Sequence, residues 1–364
     1  MQVLSPEFRL AAACCRWPAS PGRQALIKAA AAKVDWSLFT VVARQHRIEG
    51  LVWAALRDSG IELPDTEGRH LRAKAKDIAR TNLFIAAECG RVAAAFQGHG
   101  LPLLFVKGLT LAKLAYGDIS LKRGWDIDLL VAPDILGEAA QLLTALGYEA
   151  TLPEGASAET LQVWHGHSKE SVWRHDTKGH FVELHTSLVN SAYLLPGVGM
   201  QSAAIDVEVA NGVVLPTLPR GQLFAYLCVH GASSAWFRLK WLADFAALAG
   251  NDAEEIERLY HCTQKLGAGR AAAQALLLAT DLVGTPLPAS LERTLRASRT
   301  NRSLAAASKR LMEGLSDGKE LHQRRFGTWA VHWTQFLLLP DFRYVWDELR
   351  RQWGAFRHHN RRGA

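Results

Sequence analysis

Apolar and polar positions along this chain change their spacing twice. Over residues 1–98 the apolar positions recur at helical spacing, as in Trp36, Phe39, Val42 and Ala43. Ala-rich blocks at 29–32 and 93–95 support that reading. The stretch 69–96 predicts one long helix, broken by Gly98-His99-Gly100. From residue 101 the signal turns to short strands. LPLLFV at 101–106 predicts a first strand, 110–116 a helix stopped at Gly117, and DIDLLV at 126–131 a second strand. Pro133 opens a helix through Leu146, with Gly147 as its cap. YEATL at 148–152 predicts another strand, and a polar helix and loop follow from Pro153. VWRH at 172–175 and HFVELH at 180–185 predict strands joined by a turn at DTKG, 176–179. Residues 205–218 look β-like. Helical spacing returns at 223–230, 240–248, 254–266 and 271–283, and 326–352 predicts two helices around Leu339-Pro340. The sum is an α+β chain: an N-terminal helical region over 1–98, a core with a small mixed β-sheet over 99–219, and a C-terminal helical domain over 220–364.

The chemistry concentrates at KGLTLAKLAYGDISLKRGWDIDLLV, residues 107–131. Side chains alternate along a strand, so Asp126 and Asp128 point the same way. Two carboxylates at short range repel unless positive charge sits between them, and a divalent metal is the usual solution. The segment therefore predicts a metal-dependent site on a strand that begins polar and ends buried. On the strand at 180–185, Glu183 and His185 face one side while Val182 and Leu184 pack on the other. Gly108 lets the backbone approach a phosphate, and the helix start after it offers free N–H groups. Lys107 adds a positive charge beside them. Arg123, three residues before Asp126, is suited either to bidentate contact with phosphate oxygens or to a salt bridge with an aspartate.

A strand, a Gly turn, a helix and then D-x-D on the next strand resemble the nucleotidyltransferase superfamily, whose best-known members are DNA polymerase β-like enzymes. K-G-x-x-L followed by R-x-x-D-I-D-L-L-V is similar, more narrowly, to a bacterial family of uncharacterised nucleotidyltransferases. The resemblance is clearest over roughly 85–190, and Lys107-Gly108 stands where the superfamily usually carries Gly-Ser. It implies transfer of a nucleoside monophosphate from a nucleoside triphosphate, ATP among them, to a hydroxyl-bearing acceptor with release of pyrophosphate. It implies two Mg²⁺ ions, or Mn²⁺, held by Asp126, Asp128 and a third carboxylate on a neighbouring strand. Glu183-Leu184-His185 matches the family's acid before a hydrophobic-His pair, which makes Glu183 that third ligand. Asp126, Asp128 and Glu183 are thus the implied catalytic set, and Lys107, Gly108, Arg123 and His185 the implied substrate-binding set.

Composition changes this picture little. At 364 residues and 49% hydrophobic, the chain has ample material for a core. Its five cysteines are odd in number and contain no C-x-x-C, which argues against a disulfide framework or a zinc site and for a reducing, cytoplasmic setting. No apolar run reaches the ~18 residues of a membrane span, and the first residues lack a signal-peptide pattern. Of the net charge of +7, most sits beyond residue 300, where 12 Lys/Arg meet 6 Asp/Glu. That region is either a solvated helix face or a surface for an anionic partner.

Three further clusters stand out. His165, His167, His175, His180 and His185 crowd one stretch without the Cys or close carboxylate of a zinc set. His230, Trp236, Arg238, Lys240, Trp241 and Asp244 follow a spacing that resembles a helical feature downstream of the family's core. That patch reads as interdomain packing with an internal Lys240–Asp244 ion pair, or as a cradle for a base or acceptor. Phe326, Trp329, Trp333 and Phe336 fall at helical spacing and predict core packing. Two readings outside the enzyme class remain: a nucleotide sensor with a degraded site, and a nucleic-acid binder using the basic C-terminal region.

Overall fold

The computed structural model describes residues 4–315 and 329–361. Four short helices come first: α1 (Pro6–Cys14), α2 (Pro21–Ala31), α3 (Trp36–Gln45) and α4 (Glu49–Asp58). Ser5, Ser20 and Asp35 cap the first three by accepting backbone N–H bonds, which fixes where each begins. Then comes α5 (Asp65–Gly98), about 51 Å long at helical rise. Its buried face carries Leu71, Ile78, Ile85 and Val92 at seven-residue intervals, with Asn82, Cys89 and Phe96 four residues after the last three. That stripe holds the helix against the rest of the molecule along most of its length.

The core follows in the order β1 (Leu104–Phe105), α6 (Gly108–Tyr116), β2 (Asp126–Leu130), α7 (Leu136–Ala145), β3 (Tyr148–Leu152), α8 (Ala158–His165), β4 (Glu170–His175) and β5 (Phe181–His185). The five strands lie in the order β1-β2-β5-β4-β3. Only β2 and β5 run parallel; the other neighbours are antiparallel, so the sheet is small and mixed. A hairpin of β6 (Ile205–Ala210) and β7 (Val213–Thr217) forms a separate two-stranded sheet. Two expected elements are shorter than the periodicity suggested. Only Leu104 and Phe105 of 101–106 form the ladder with β2, with the Val106 N–H adding one bond to Asp128 O at 3.2 Å, since this edge strand has one neighbour and Pro102 offers no N–H. Pro133 starts a single 3₁₀ turn, and the α-helix begins at Leu136.

The sheet has two unlike faces. Ile127, Leu129, Trp173, Val182 and Leu184 pack with Ile85, Cys89 and Phe96 of α5 and with Leu136 and Leu143 of α7 into an apolar core. The opposite face carries Asp126, Asp128, Glu183 and His185 and looks toward the C-terminal helices. These are α9 (Arg220–Ser233), α10 (Leu239–Ala249), α11 (Ala253–Lys265), α12 (Gly269–Val283), α13 (Ala289–Ala297), α14 (Arg299–Gly314), α15 (Trp329–Gln335) and α16 (Phe342–Arg361). Their apolar faces join the N-terminal helices and α6 in a second, larger core. The whole is an α+β fold with helical flanks, as its periodicity predicts.

The C-terminal aromatics correct an expectation. Trp329 and Trp333 are 64% and 56% exposed and stack on one another, with ring centroids 5.8 Å apart. Their short helix docks on α9 through Thr334 and Gln335 instead, the latter donating to Ser233 O, which turns the indoles outward. Phe326 lies outside the described residues. Among the described residues, no helix is long and apolar enough to cross a membrane.

Candidate active site

The parallel pairing of β2 with β5 builds the site. Its register sets Asp128 beside Glu183 and Leu130 beside His185, with Asp126 one row earlier beside Phe181. Paired positions on neighbouring strands share a face, so the carboxylates of Asp128 and Glu183 meet although 55 positions separate them in the chain. Asp128, Glu183 and His185 bring their ligand atoms within 4.8 Å of one another. Asp126 is not one of that group but adds its charge from the next row.

Lys107 enters from the other side. It precedes α6, and Gly108 begins that helix at φ +62, a conformation that side-chain-bearing residues rarely adopt. Thr110 Oγ1 donates to the carbonyls of Phe105 and Lys107, at 3.1 and 2.9 Å, and holds the turn. The Lys107 ammonium lies 2.5 Å from Asp128 Oδ1 and 3.7 Å from Glu183 Oε2. Burial alone would lower Lys107, but Asp128 above all holds it well above the usual lysine range. Burial would likewise raise Asp128; Lys107 and His185 outweigh it and hold that carboxyl well below its usual range.

Asp126 behaves oppositely. Burial first, then Asp128, then Glu183 push it up to about 6, over the opposing pull of Lys107 and Lys240. One ammonium does not neutralise three crowded carboxylates. A divalent cation would, and oxygen donors suit Mg²⁺ or Mn²⁺. A further observation fits this need. The Tyr226 hydroxyl on α9 is buried and has no hydrogen-bond partner among the described residues, within electrostatic reach of Lys107, Asp128, Glu170 and Glu183. A buried orphan hydroxyl at a charged pocket suits a bound ligand or its water shell. The residues present therefore fit a divalent metal.

His185 is fully buried. Its Nε2 lies 3.4 Å from Asp128 Oδ1 and 3.5 Å from Glu183 Oε2, while Nδ1 lies 3.2 Å from Glu170 Oε2, off the line of a good hydrogen bond. A carboxylate behind a histidine orients the ring and settles which nitrogen faces the site. Glu170 had no signal as a site residue in the sequence; only its alternation with Val172 on β4 places it on the same face. Asn82 was also missed. It is the polar residue among the seven stripe positions named above, with Glu88 buried beside them. Its amide donates to the carbonyls of Ile119 and Lys122, at 2.5 and 2.6 Å, and its Oδ1 accepts from Gly124 N at 3.0 Å. A polar residue inside a heptad-spaced apolar stripe is the signal that would have found it.

Other expected residues meet the following partners. Arg123 lies 4.0 Å over the Trp125 ring, and among the described residues it makes no ion pair with an aspartate. His165 shares hydrogen bonds with Thr186 and Ser171, and His175 packs edge-on against Tyr148, so these two of the five histidines in the stretch make structural contacts. Asp244 pairs with Lys122 and accepts from Tyr116, in place of an ion pair with Lys240. All five cysteines are free.

Comparison with known proteins agrees with the geometry. No curated protein matches the chain. A family model described as an uncharacterised nucleotidyltransferase matches residues 32–284, which include α3 to α12 and every strand. The chain therefore belongs to this family of uncharacterised nucleotidyltransferases.

Proposed function

We propose that this protein transfers a nucleoside monophosphate from a nucleoside triphosphate, ATP among the candidates, to a hydroxyl on an acceptor. The acceptor is a small molecule, a protein side chain or a nucleic-acid end. The observation that carries this reading is the β2–β5 register, which sets Asp128 against Glu183 with Asp126 one row away and Lys107 between strand and helix. Asp126, Asp128 and Glu183 would hold divalent metal, Mg²⁺ or Mn²⁺. Metal bound there would lower the pKa of the attacking hydroxyl and offset charge on the triphosphate.

The chain's own groups do the rest. The Gly108 turn and the first N–H groups of α6 receive phosphate oxygens, and Lys107 leaves Asp128 far enough to contact them. Glu170 keeps His185 aimed at the carboxylates. The acceptor oxygen then bonds to the α-phosphorus, the bond to the bridging oxygen of pyrophosphate breaks, and the hydroxyl proton passes to a carboxylate of the site. Free thiols suit a reducing compartment, and a cytoplasmic setting belongs to the proposal. The exposed Trp329 and Trp333 beside the basic C-terminal helix support contact with an anionic partner there.

The test is a panel of triphosphates with Mg²⁺, the products read by phosphorus NMR. Pyrophosphate release that vanishes in Asp126→Asn supports the transferase. Tight nucleotide binding with no turnover of any triphosphate would replace it with a nucleotide sensor.

A further inference from the structure

The C-terminal helix pair keeps polar side chains inside and tryptophans outside. Hydrogen bonds tie α16 to α15: Tyr344 donates to Gln335 O at 2.7 Å, Arg351 to Gln335 Oε1 at 2.9 Å, and Gln352 to the same oxygen at 3.3 Å. Glu348 is buried in that contact and pairs with Arg351. Large apolar side chains are left outside. Phe342 is 79% exposed, and Trp346 and Leu349, four and seven residues on, are 50% and 46% exposed. α15 repeats the pattern, with Thr334 buried and Trp329 and Trp333 outside. Among the described residues four tryptophans are exposed, and three of them belong to this pair. A helix that serves only the fold turns its apolar stripe inward. Phe342, Trp346 and Leu349 form such a stripe facing water, which marks a surface for something apolar.

Cations frame these rings. A shallow groove of about 340 Å³ is lined by Tyr193, Phe342, Arg343, Trp346, Asp347 and Arg350. Arg343 and Arg350 are two helical turns apart and so share a face. The Arg350 guanidinium lies 5.3 Å from the Trp346 ring centroid. Beyond Gln352 the sequence adds three arginines and no acid.

This chemistry selects among anionic partners. Affinity for nucleic acid comes from many phosphate contacts along a cationic track, with free ring faces for the bases. In the groove two arginines stand against Asp347, Arg350 covers Trp346, and Trp329 and Trp333 cover one another in a stack. A second copy docked here about a two-fold axis would set the same arginines against each other. Trp and Phe beside Arg suit the boundary between lipid headgroups and acyl chains, where the indole meets an apolar phase with its body and water with its N–H. We infer that the α15–α16 pair is a docking surface for a bilayer that carries anionic phospholipid. Trp329, Trp333, Phe342 and Trp346 enter the headgroup boundary, and Arg343 and Arg350 meet lipid phosphates and keep the helix at that depth. The inference rests on the anionic contact proposed for this helix pair and needs nothing of the transfer chemistry.

Co-sedimentation of the full-length protein with vesicles tests it, with phosphatidylcholine alone set against phosphatidylcholine mixed with phosphatidylglycerol. The wild type is expected to bind the mixed vesicles about tenfold or more tighter than the neutral ones, a preference that shrinks as salt rises. Trp329→Ala with Trp333→Ala, and Phe342→Ala with Trp346→Ala, should each weaken binding to mixed vesicles about tenfold or more. Their melting temperatures should match the wild type, since the rings removed are exposed. Arg343→Gln with Arg350→Gln should lower the preference for anionic lipid and leave binding to neutral vesicles as it was. Mixed vesicles left unbound by the wild type, or bound as well by both aromatic variants, overturn the inference. Tighter binding of a single-stranded oligonucleotide than of mixed vesicles keeps the anionic contact and overturns the lipid. Self-association that the aromatic variants abolish, with vesicles unbound, overturns it in favour of a second copy. Vesicle binding without turnover of any triphosphate keeps the membrane surface and removes the transferase; turnover without vesicle binding does the reverse.

Discussion

Two acids, buried Glu88 and half-buried Asp126, lie near opposite faces of the same sheet and meet opposite fates. Glu88, on α5, is 4% exposed and accepts from Tyr148 Oη at 2.8 Å, from Lys178 Nζ at 2.7 Å and from the Arg91 guanidinium. Burial alone would raise it, but the hydrogen bonds from Arg91, Lys178 and Tyr148 bring it down to about 2. Asp126 has no such complement. Burial and two neighbouring carboxylates push it up to about 6. A carboxylate supplied with donors stiffens the fold; one crowded by its own kind stores unfavourable charge that a ligand can relieve. The difference supports the Asp126 face as the proposed place for chemistry and the Glu88 face as scaffold.

The sharpest way to break this comparison is to neutralise each acid in turn. Asp126→Asn should cost roughly 10²–10³-fold in pyrophosphate release, the range for removing a preorganised electrostatic group. Its melting temperature should hold or rise, because like-charge repulsion is relieved. A large loss of stability instead would show that Asp126 is structural. Glu88→Gln should do the reverse. Leaving Arg91 and Lys178 without their carboxylate should destabilise the fold by about 2–4 kcal/mol in a denaturant titration, with turnover per folded molecule unchanged.

Asn82→Ala sharpens the picture at an intermediate scale. It strands the carbonyls of Ile119 and Lys122 and the Gly124 N–H, so about 1–3 kcal/mol of stability should go. KM for the triphosphate should rise more than kcat falls, since the freed loop carries Arg123 of the implied substrate-binding set. Equal losses in both would place Asn82 with the scaffold alone.

The smallest expected effect is on pH. Glu88 is depressed from about 4.5 to about 2 on folding, so its contribution is complete above pH ~4.5 and is lost as pH falls from there toward 2. His46 is depressed to about 3 by burial and then by Arg238. It costs the native state nothing above the unfolded value near 6.5, and stability falls as pH drops from there toward 3, because only the unfolded chain takes up the proton. Thermal melts between pH 7 and 2 should therefore decline in two stages, and Glu88→Gln should flatten the more acidic one. A Glu88→Gln variant with an unaltered acid limb would contradict the comparison.

Much of this molecule was legible before its structure. Period-two alternation fixed that Asp126 shares a face with Asp128 and Glu183 with His185, since each pair lies within one strand. Helical spacing marked α5 and the C-terminal helices, because a helix buries a stripe set by its own geometry. The exposed Trp329 and Trp333 escaped the same logic. Spacing says that residues share a face, and only packing says what that face meets.

What the tertiary structure alone decided lies between segments. The register of β2 against β5 put Glu183 beside Asp128 and not one row off. The Gly108 turn brought Lys107 to both carboxylates, β4 brought Glu170 behind His185, and α10 brought Asp244 to Lys122. The amino-acid sequence by itself determined which side chains share an element and which way they point. Coulomb energy depends on distance and burial, and both are set by which distant segments pack together, so the balance of charge that separates Asp126 from Glu88 appears only in the folded chain.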